Sequence, residues 1–239
     1  MERIAKVSTS LKARAIGVIY LLYFLTALFA GFLTKGIVVS GDAVATANNI
    51  LAHEPLYRAG LSVDLIANLL YLALTALFYI LFEPVNRRLS LLAAFFSFVG
   101  CTVQIVGGLF RLVPLIILGD DHFMNVFTLG QLQATALLFI KLYAQVFSVS
   151  FVCFALFDLL IGYLILRSTF LPRVLGVVMV SAGVGALSFL WPPLAASLSP
   201  YILLIGGLAE LLLLLWLLVK GVDISKWQEQ ASARPVGRA

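Results

Sequence analysis

Two acidic residues, Asp158 and Glu210, lie deep inside long apolar segments, where ionisable groups are the first candidates for function. Asp158 comes nine residues before Arg167, and Glu210 comes ten residues before Lys220. At about 1.5 Å per helical residue, both carboxyl groups are expected roughly 13–15 Å from the same membrane face. Two carboxyl groups at one depth could bind a cation, share a proton or relay one. The alternative is structural, with each carboxyl protonated and hydrogen-bonded inside the protein.

A second group of polar side chains recurs at helical spacing in three apolar segments. Its members are Asp64 and Asn68, Gln104 and Arg111, and Lys141 and Gln145. Spacings of four or seven residues place each pair on one face of its helix. We expect the three faces to turn away from lipid and form an outward-facing pocket for a small amphipathic or anionic molecule, or a lipid. The alternative is a structural ion pair, such as Asp64 with Arg111.

The elements that carry these residues are predicted to be membrane-spanning helices. Hydrophobic residues make up 62% of the 239 residues and charged residues 11%, and the mean hydropathy is +1.09. A soluble domain is typically about 45–50% apolar and about 25% charged. Six apolar runs are long enough to cross a hydrocarbon core of about 30 Å, so we predict an all-α, polytopic bundle of six helices. The predicted spans are about 15–35, 60–82, 90–118, 137–166, 174–192 and 200–220, forming one transmembrane domain at 15–220.

The distribution of basic residues predicts how the helices cross the membrane. Of 16 lysines and arginines, twelve lie in the N-terminal segment 1–14, the loops near 83–89 and 167–173, or the C-terminal end. Because positive charge stays on the cytoplasmic side, both termini are expected there, with 221–239 as a solvated tail. The loops at 36–59, 119–136 and 193–199 are then outside. A short helix is expected near 44–51, and Pro200 is expected to open the sixth span.

The sequence contains no metalloprotease HExxH, hydrolase Gly-x-Ser-x-Gly or phosphate-loop motif. We expect no metal and no cofactor. The net charge of +5 follows from membrane topology, so nucleic acid is not an expected partner, whereas membrane lipids are. The leading hypothesis is binding or transport of a small molecule or lipid. An intramembrane enzyme using the buried carboxyl groups, and a structural or sensory subunit, are the alternatives; the sequence leaves the oligomeric state open.

Three stretches carry a resemblance to a known family. They are residues 14–21, residues 162–176 with Ala182 and Gly183, and Glu210 with residues 216–222. Together they resemble an uncharacterised family of bacterial multi-pass membrane proteins, the domain of unknown function 4386. The resemblance covers nearly the whole chain and implies a six-helix bundle in the bacterial cytoplasmic (inner) membrane. It implies no reaction and no ligand.

Overall fold

The computed structural model describes residues 2–233, with side chains from residue 14 onward except at positions 121, 192 and 196. Arg234 and Arg238, counted above in the C-terminal end, lie outside the described residues. Between residues 2 and 233 every regular element is a helix. The α-helices are α1 (Glu2–Thr34), α2 (Ala43–Ala52), α3 (Glu54–Phe82), α4 (Arg87–Gly108), α5 (Val113–Gly119), α6 (Asp121–Val126), α7 (Leu129–Arg167), α8 (Arg173–Ala186), α9 (Pro192–Val219) and α10 (Ile224–Ser232).

Six segments in the described part of the chain are long and apolar enough to cross a membrane. They are Arg14–Thr34, Glu54–Phe82, Arg87–Gly119, Leu129–Arg167, Arg173–Leu190 and Ser197–Val219. Large apolar side chains are exposed along them, including Phe32, Phe95 and Leu204. Exposed apolar surface of this extent requires lipid as the solvent. The predicted all-α, six-span membrane fold is therefore confirmed; the direction in which the termini face stays a prediction.

Two spans differ from the sequence-based expectation. The third is interrupted by a 3₁₀ turn, Leu109–Leu112, between α4 and α5. The turn follows Gly107 and Gly108 and precedes Pro114, residues that weaken and end helical hydrogen bonding. The sixth span belongs to a helix that begins at Pro192, so the expected loop at 193–199 is helical and Pro200 lies inside α9. The prediction that Pro200 opens the helix was wrong, because Pro192 already supplies a proline at the helix start.

The chain divides into two compact units. The first unit comprises residues 1–22, 70–100 and 151–239. Its core is aromatic: Phe78 packs against Tyr20, Phe82 and Phe157 at ring-centroid distances of 5.8, 6.1 and 6.2 Å. In the same unit the buried hydroxyl groups of Thr75 and Ser97 are hydrogen-bonded at 2.6 Å. This bond satisfies two polar groups that would otherwise be buried in apolar surroundings.

Helices α7 and α8 of the first unit approach closely through glycines. A Cβ atom built on Gly176 would lie 2.8 Å from the carbonyl oxygen of Gly162, and one on Gly183 would lie 2.9 Å from that of Ala155. These distances are too short for a side chain, so the contact requires glycine at both positions of α8. Small residues at such spacing let membrane helices pack backbone against backbone.

The second unit comprises residues 23–69 and 101–150. Its core joins α2 and the segment before it to the spanning helices. Ile37, Ile50, Tyr57, Leu115 and Ile140 form one buried cluster. The Asp42 side chain caps α2 by accepting a hydrogen bond of 2.8 Å from the Ala45 N–H. The short helix expected near residues 44–51 is confirmed.

The C-terminal segment, expected to be a solvated tail, contains a helix in its described part. Residues 224–232 form α10, which belongs to the first unit. The Trp227 Nε1–H donates to the Leu81 carbonyl oxygen at 2.9 Å, and the Gln230 side chain accepts from both the N–H and the hydroxyl of Thr169 at 3.1 Å. Sequence periodicity could not reveal these contacts, because they depend on side chains distant in the chain.

Candidate functional site

Arg111 and Asp64, two members of the expected outer pocket, form an ion pair in the second unit. Arg111 Nη1 lies 3.2 Å from Asp64 Oδ2, and the Arg111 side chain is only 11% exposed. The guanidinium group lies 4.9 Å from the ring centroid of Tyr143 and 5.8 Å from that of Tyr57. The Tyr57 hydroxyl in turn donates to the Arg111 carbonyl oxygen at 3.0 Å. The positive charge is thus neutralised by a carboxylate and covered by two aromatic rings.

The other residues of the expected pocket are not all turned inward. Asn68 is buried, but its side chain donates to the Asp64 carbonyl oxygen of its own helix at 2.9 Å. Gln104 is half-buried, whereas Lys141 and Gln145 are exposed. Lys141 and Gln145 of α7 are therefore not buried, although their helix face was expected to turn away from lipid. Spacing correctly places Lys141 and Gln145 on one helix face, but it does not say which way that face points. Their roles as ligand-binding residues stay predictions.

Asp158 and Glu210, the two deep carboxyl groups, belong together in the first unit. Asp158 Oδ1 is buried and has no hydrogen-bond partner among the described residues. Glu210 is near enough to Asp158 for the two carboxyl groups to influence each other electrostatically. Asp158 lies nine residues before the last residue of α7, and Glu210 nine before that of α9. Both are therefore about 13–14 Å along the helix from those ends, and their expected position near the middle of the hydrocarbon layer stays a prediction.

Close packing beside Asp158 fixes the position of its helix. The built Cβ of Gly183 on α8 would lie 2.9 Å from both the Ala155 carbonyl oxygen and Leu159 Cγ. Ala155 and Leu159 lie on either side of Asp158 along α7. The backbones of α7 and α8 are therefore in close contact in this part of the helix. Along α7, Phe154 and Phe151 precede Asp158 by four and seven residues and share its helix face.

Comparison with known proteins gave one result. The family model described as Domain of unknown function (DUF4386) matches residues 15–221. The chain belongs to this family. Comparisons with curated proteins and with solved structures gave no match. The resemblance stated from the sequence is confirmed for the family; the expected bacterial inner membrane stays a prediction.

The DUF4386 match includes Asp158, Glu210, Asp64 and Arg111 but ends before α10. One polar group of this domain was missed by sequence reasoning. Ser188 Oγ, in the 3₁₀ turn Leu187–Leu190 of the first unit, is buried without a hydrogen-bond partner among the described residues. Its position at the end of an apolar run does not indicate a buried, unpaired hydroxyl group, because a serine is an ordinary residue at a helix end.

Proposed function

We propose that this protein binds and transports a small amphipathic cation across the membrane, with Asp158 and Glu210 as the binding centre. The observation that supports this is the buried Asp158 Oδ1 atom, which lacks a partner while a second carboxyl group acts on it. A buried polar atom without a partner is costly and needs a physical explanation, of which a bound ion is one. The positive group of the ligand would supply the missing interaction.

The charge of the pair favours a cation. Two negative charges close together in an apolar layer repel each other, and no basic side chain is paired with either carboxyl group in the described structure. The pair therefore needs either a shared proton or a bound cation to be stable there. Exchange between these two states would couple uptake of the ligand to release of a proton.

The surroundings of Asp158 favour a ligand that is also apolar. Phe154, on the same face of α7, packs edge-to-face with Tyr71 at 5.2 Å and with Phe151 at 6.4 Å between ring centroids. Aromatic faces attract cations and also bury apolar groups. An organic cation would thus contact both the carboxyl pair and the aromatic rings that lie along the helix from it.

The anionic ligand that the sequence favoured has less support. The Arg111 guanidinium is already paired with Asp64 at 3.2 Å, so this cluster carries no net charge to attract an anion. Lys141, the second expected cation, is exposed. We therefore place the proposed binding centre at the carboxyl pair.

Tetraphenylphosphonium binding to the detergent-purified protein, measured by equilibrium dialysis across pH, tests the proposal. Binding to the wild type should weaken as pH falls, by up to about tenfold per pH unit if one proton competes with one cation. Asp158→Asn and Glu210→Gln should each weaken binding at least about tenfold and flatten this pH dependence. Glu229→Gln, which removes an exposed carboxyl group from the same unit, is the matched control and should bind as the wild type does.

Equal binding by the wild type and by both carboxyl variants would contradict the proposal. If the protein binds no cation but the carboxyl variants lose thermal stability, the structural-subunit alternative gains support. Conversion of a bound substrate that stops in both variants would instead favour the intramembrane enzyme.

A further inference from the structure

The first unit gathers exposed basic side chains at one set of helix ends, which we call the basic end. It comprises the start of the apolar part of α1, the α3–α4 and α7–α8 junctions, and the region from the end of α9 through α10. Contacts within the unit hold these ends together: Trp227 of α10 reaches the Leu81 carbonyl oxygen near the end of α3, and the rings of Phe82 and Phe170 lie 6.1 Å apart. A Cβ atom built on Gly17 would lie 2.7 Å from the Leu218 nitrogen, so α1 meets the end of α9.

The balance of charge at the basic end is positive. Two of its acidic residues are paired: Glu83 with Arg87 at 3.4 Å, and Asp223 with Lys226 at 3.6 Å. Five further basic residues are exposed and take part in no ion pair among the described residues; they are Arg14, Arg88, Arg167, Arg173 and Lys220. The exposed Glu229 offsets only one of them. Since each lies at or next to the end of a spanning segment, these cations are at headgroup depth.

The α7–α8 turn that carries two of these arginines is anchored by apolar and polar contacts. Phe170 and Leu171, between Arg167 and Arg173, are buried and anchor the turn. Gln230 of α10 accepts two hydrogen bonds from Thr169. The buried apolar residues and the Thr169–Gln230 hydrogen bonds hold the backbone of the turn in place. The exposed Arg167 and Arg173 extend from this backbone. Arginine side chains form bidentate hydrogen bonds with the oxygens of a phosphate group.

We propose that the α7–α8 turn binds the phosphate headgroup of an anionic phospholipid through Arg167 and Arg173. The binding surface lies at the membrane interface, where a phospholipid supplies both the negative headgroup and acyl chains for the exposed apolar surface below, such as Val174. This interaction is independent of the carboxyl pair and does not rest on the proposed transport function.

Native mass spectrometry of the detergent-purified protein, titrated with phosphatidylglycerol or phosphatidylcholine, tests this proposal. Wild type should bind phosphatidylglycerol more tightly than phosphatidylcholine. At about fivefold per basic side chain, Arg167→Gln combined with Arg173→Gln should weaken phosphatidylglycerol binding about 25-fold. Lys35→Gln combined with Arg58→Gln removes the same charge from exposed positions of the second unit and should leave binding within about twofold of the wild type.

A charge-conserving variant separates headgroup binding from a loss of structure. Arg167→Lys combined with Arg173→Lys keeps both positive charges, so it should retain the preference for phosphatidylglycerol with a smaller loss than the glutamine variant. Equal weakening by the two glutamine double variants would overturn the proposal, since bulk charge would then explain binding. Equal affinity of the wild type for the two lipids would overturn it as well.

Discussion

Two glycine-to-alanine substitutions in the first unit should have opposite effects on stability, because one lies at the close contact of α7 and α8 and the other has open space beside it. In Gly176→Ala, the new Cβ would lie 2.8 Å from the Gly162 carbonyl oxygen and 3.0 Å from the Leu166 nitrogen. Ordinary contacts begin near 3.4 Å, so the backbones must separate by roughly half an ångström, and overpacking of this kind costs about 1–3 kcal/mol. In Gly206→Ala, nothing lies within 4 Å of the new Cβ. That substitution should be neutral or stabilise the helix by up to about 1 kcal/mol, because alanine loses less backbone entropy than glycine.

Thermal unfolding of both variants in one detergent, followed by tryptophan fluorescence at one scan rate, measures the difference. At about 2–4 °C per kcal/mol for a chain of this size, Gly176→Ala should lower Tm by several degrees. Gly206→Ala should leave Tm unchanged or raise it slightly. Gly183→Ala should behave like Gly176→Ala, since its Cβ would meet the Ala155 carbonyl oxygen at 2.9 Å. If Gly176→Ala and Gly206→Ala shift Tm in the same direction and by the same amount, the backbone-to-backbone contact is refuted.

Three further experiments test other contacts. Trp227→Phe removes the indole hydrogen bond that fastens α10, which should cost about 1 kcal/mol and speed amide exchange across residues 224–232; Trp191→Phe, at an exposed site, should not. The Ser225 hydroxyl and the Lys226 N–H lower the pKa of the Asp223 carboxyl below its ordinary value. The hydrogen bond by which Asp223 caps α10 should therefore be intact at neutral pH and weaken as pH falls below about 4. Asp223→Asn should remove this pH dependence, which can be followed by Trp227 emission in a variant whose other tryptophans are replaced. A double-mutant cycle of Asp64→Ala and Arg111→Ala, measured by thermal unfolding, should give a coupling of about 1–3 kcal/mol, and additive losses would refute the ion pair's contribution.

The membrane fold could be predicted from the sequence because it depends on the length and composition of apolar runs. The run around Asp158 is long enough to identify a spanning helix without any knowledge of its neighbours. Depth could be predicted on the same basis, since counting residues to Arg167 needs only the helical rise. The sequence alone therefore predicts a shared depth for Asp158 and Glu210.

Properties that depend on helix rotation and on packing could not be predicted in this way. Lys141 and Gln145 share a face by spacing, yet that face is exposed, because packing of α7 against its neighbours decides its orientation. Pro200 was expected at a helix start, but α9 already begins at Pro192 and contains Pro200 in its interior. The contact of Trp227 with the Leu81 carbonyl joins residues far apart in sequence, so no local sequence pattern predicts it.

In the proposed function, the Asp158–Glu210 pair exchanges a proton for a cation. The most direct measurement is the number of protons released per tetraphenylphosphonium ion bound, followed with a pH indicator in weakly buffered detergent solution. The proposal predicts close to one proton per bound cation for the wild type and for Glu229→Gln, and none for Asp158→Asn combined with Glu210→Gln. Cation binding without proton release, or equal release from the double carboxyl variant, would contradict it.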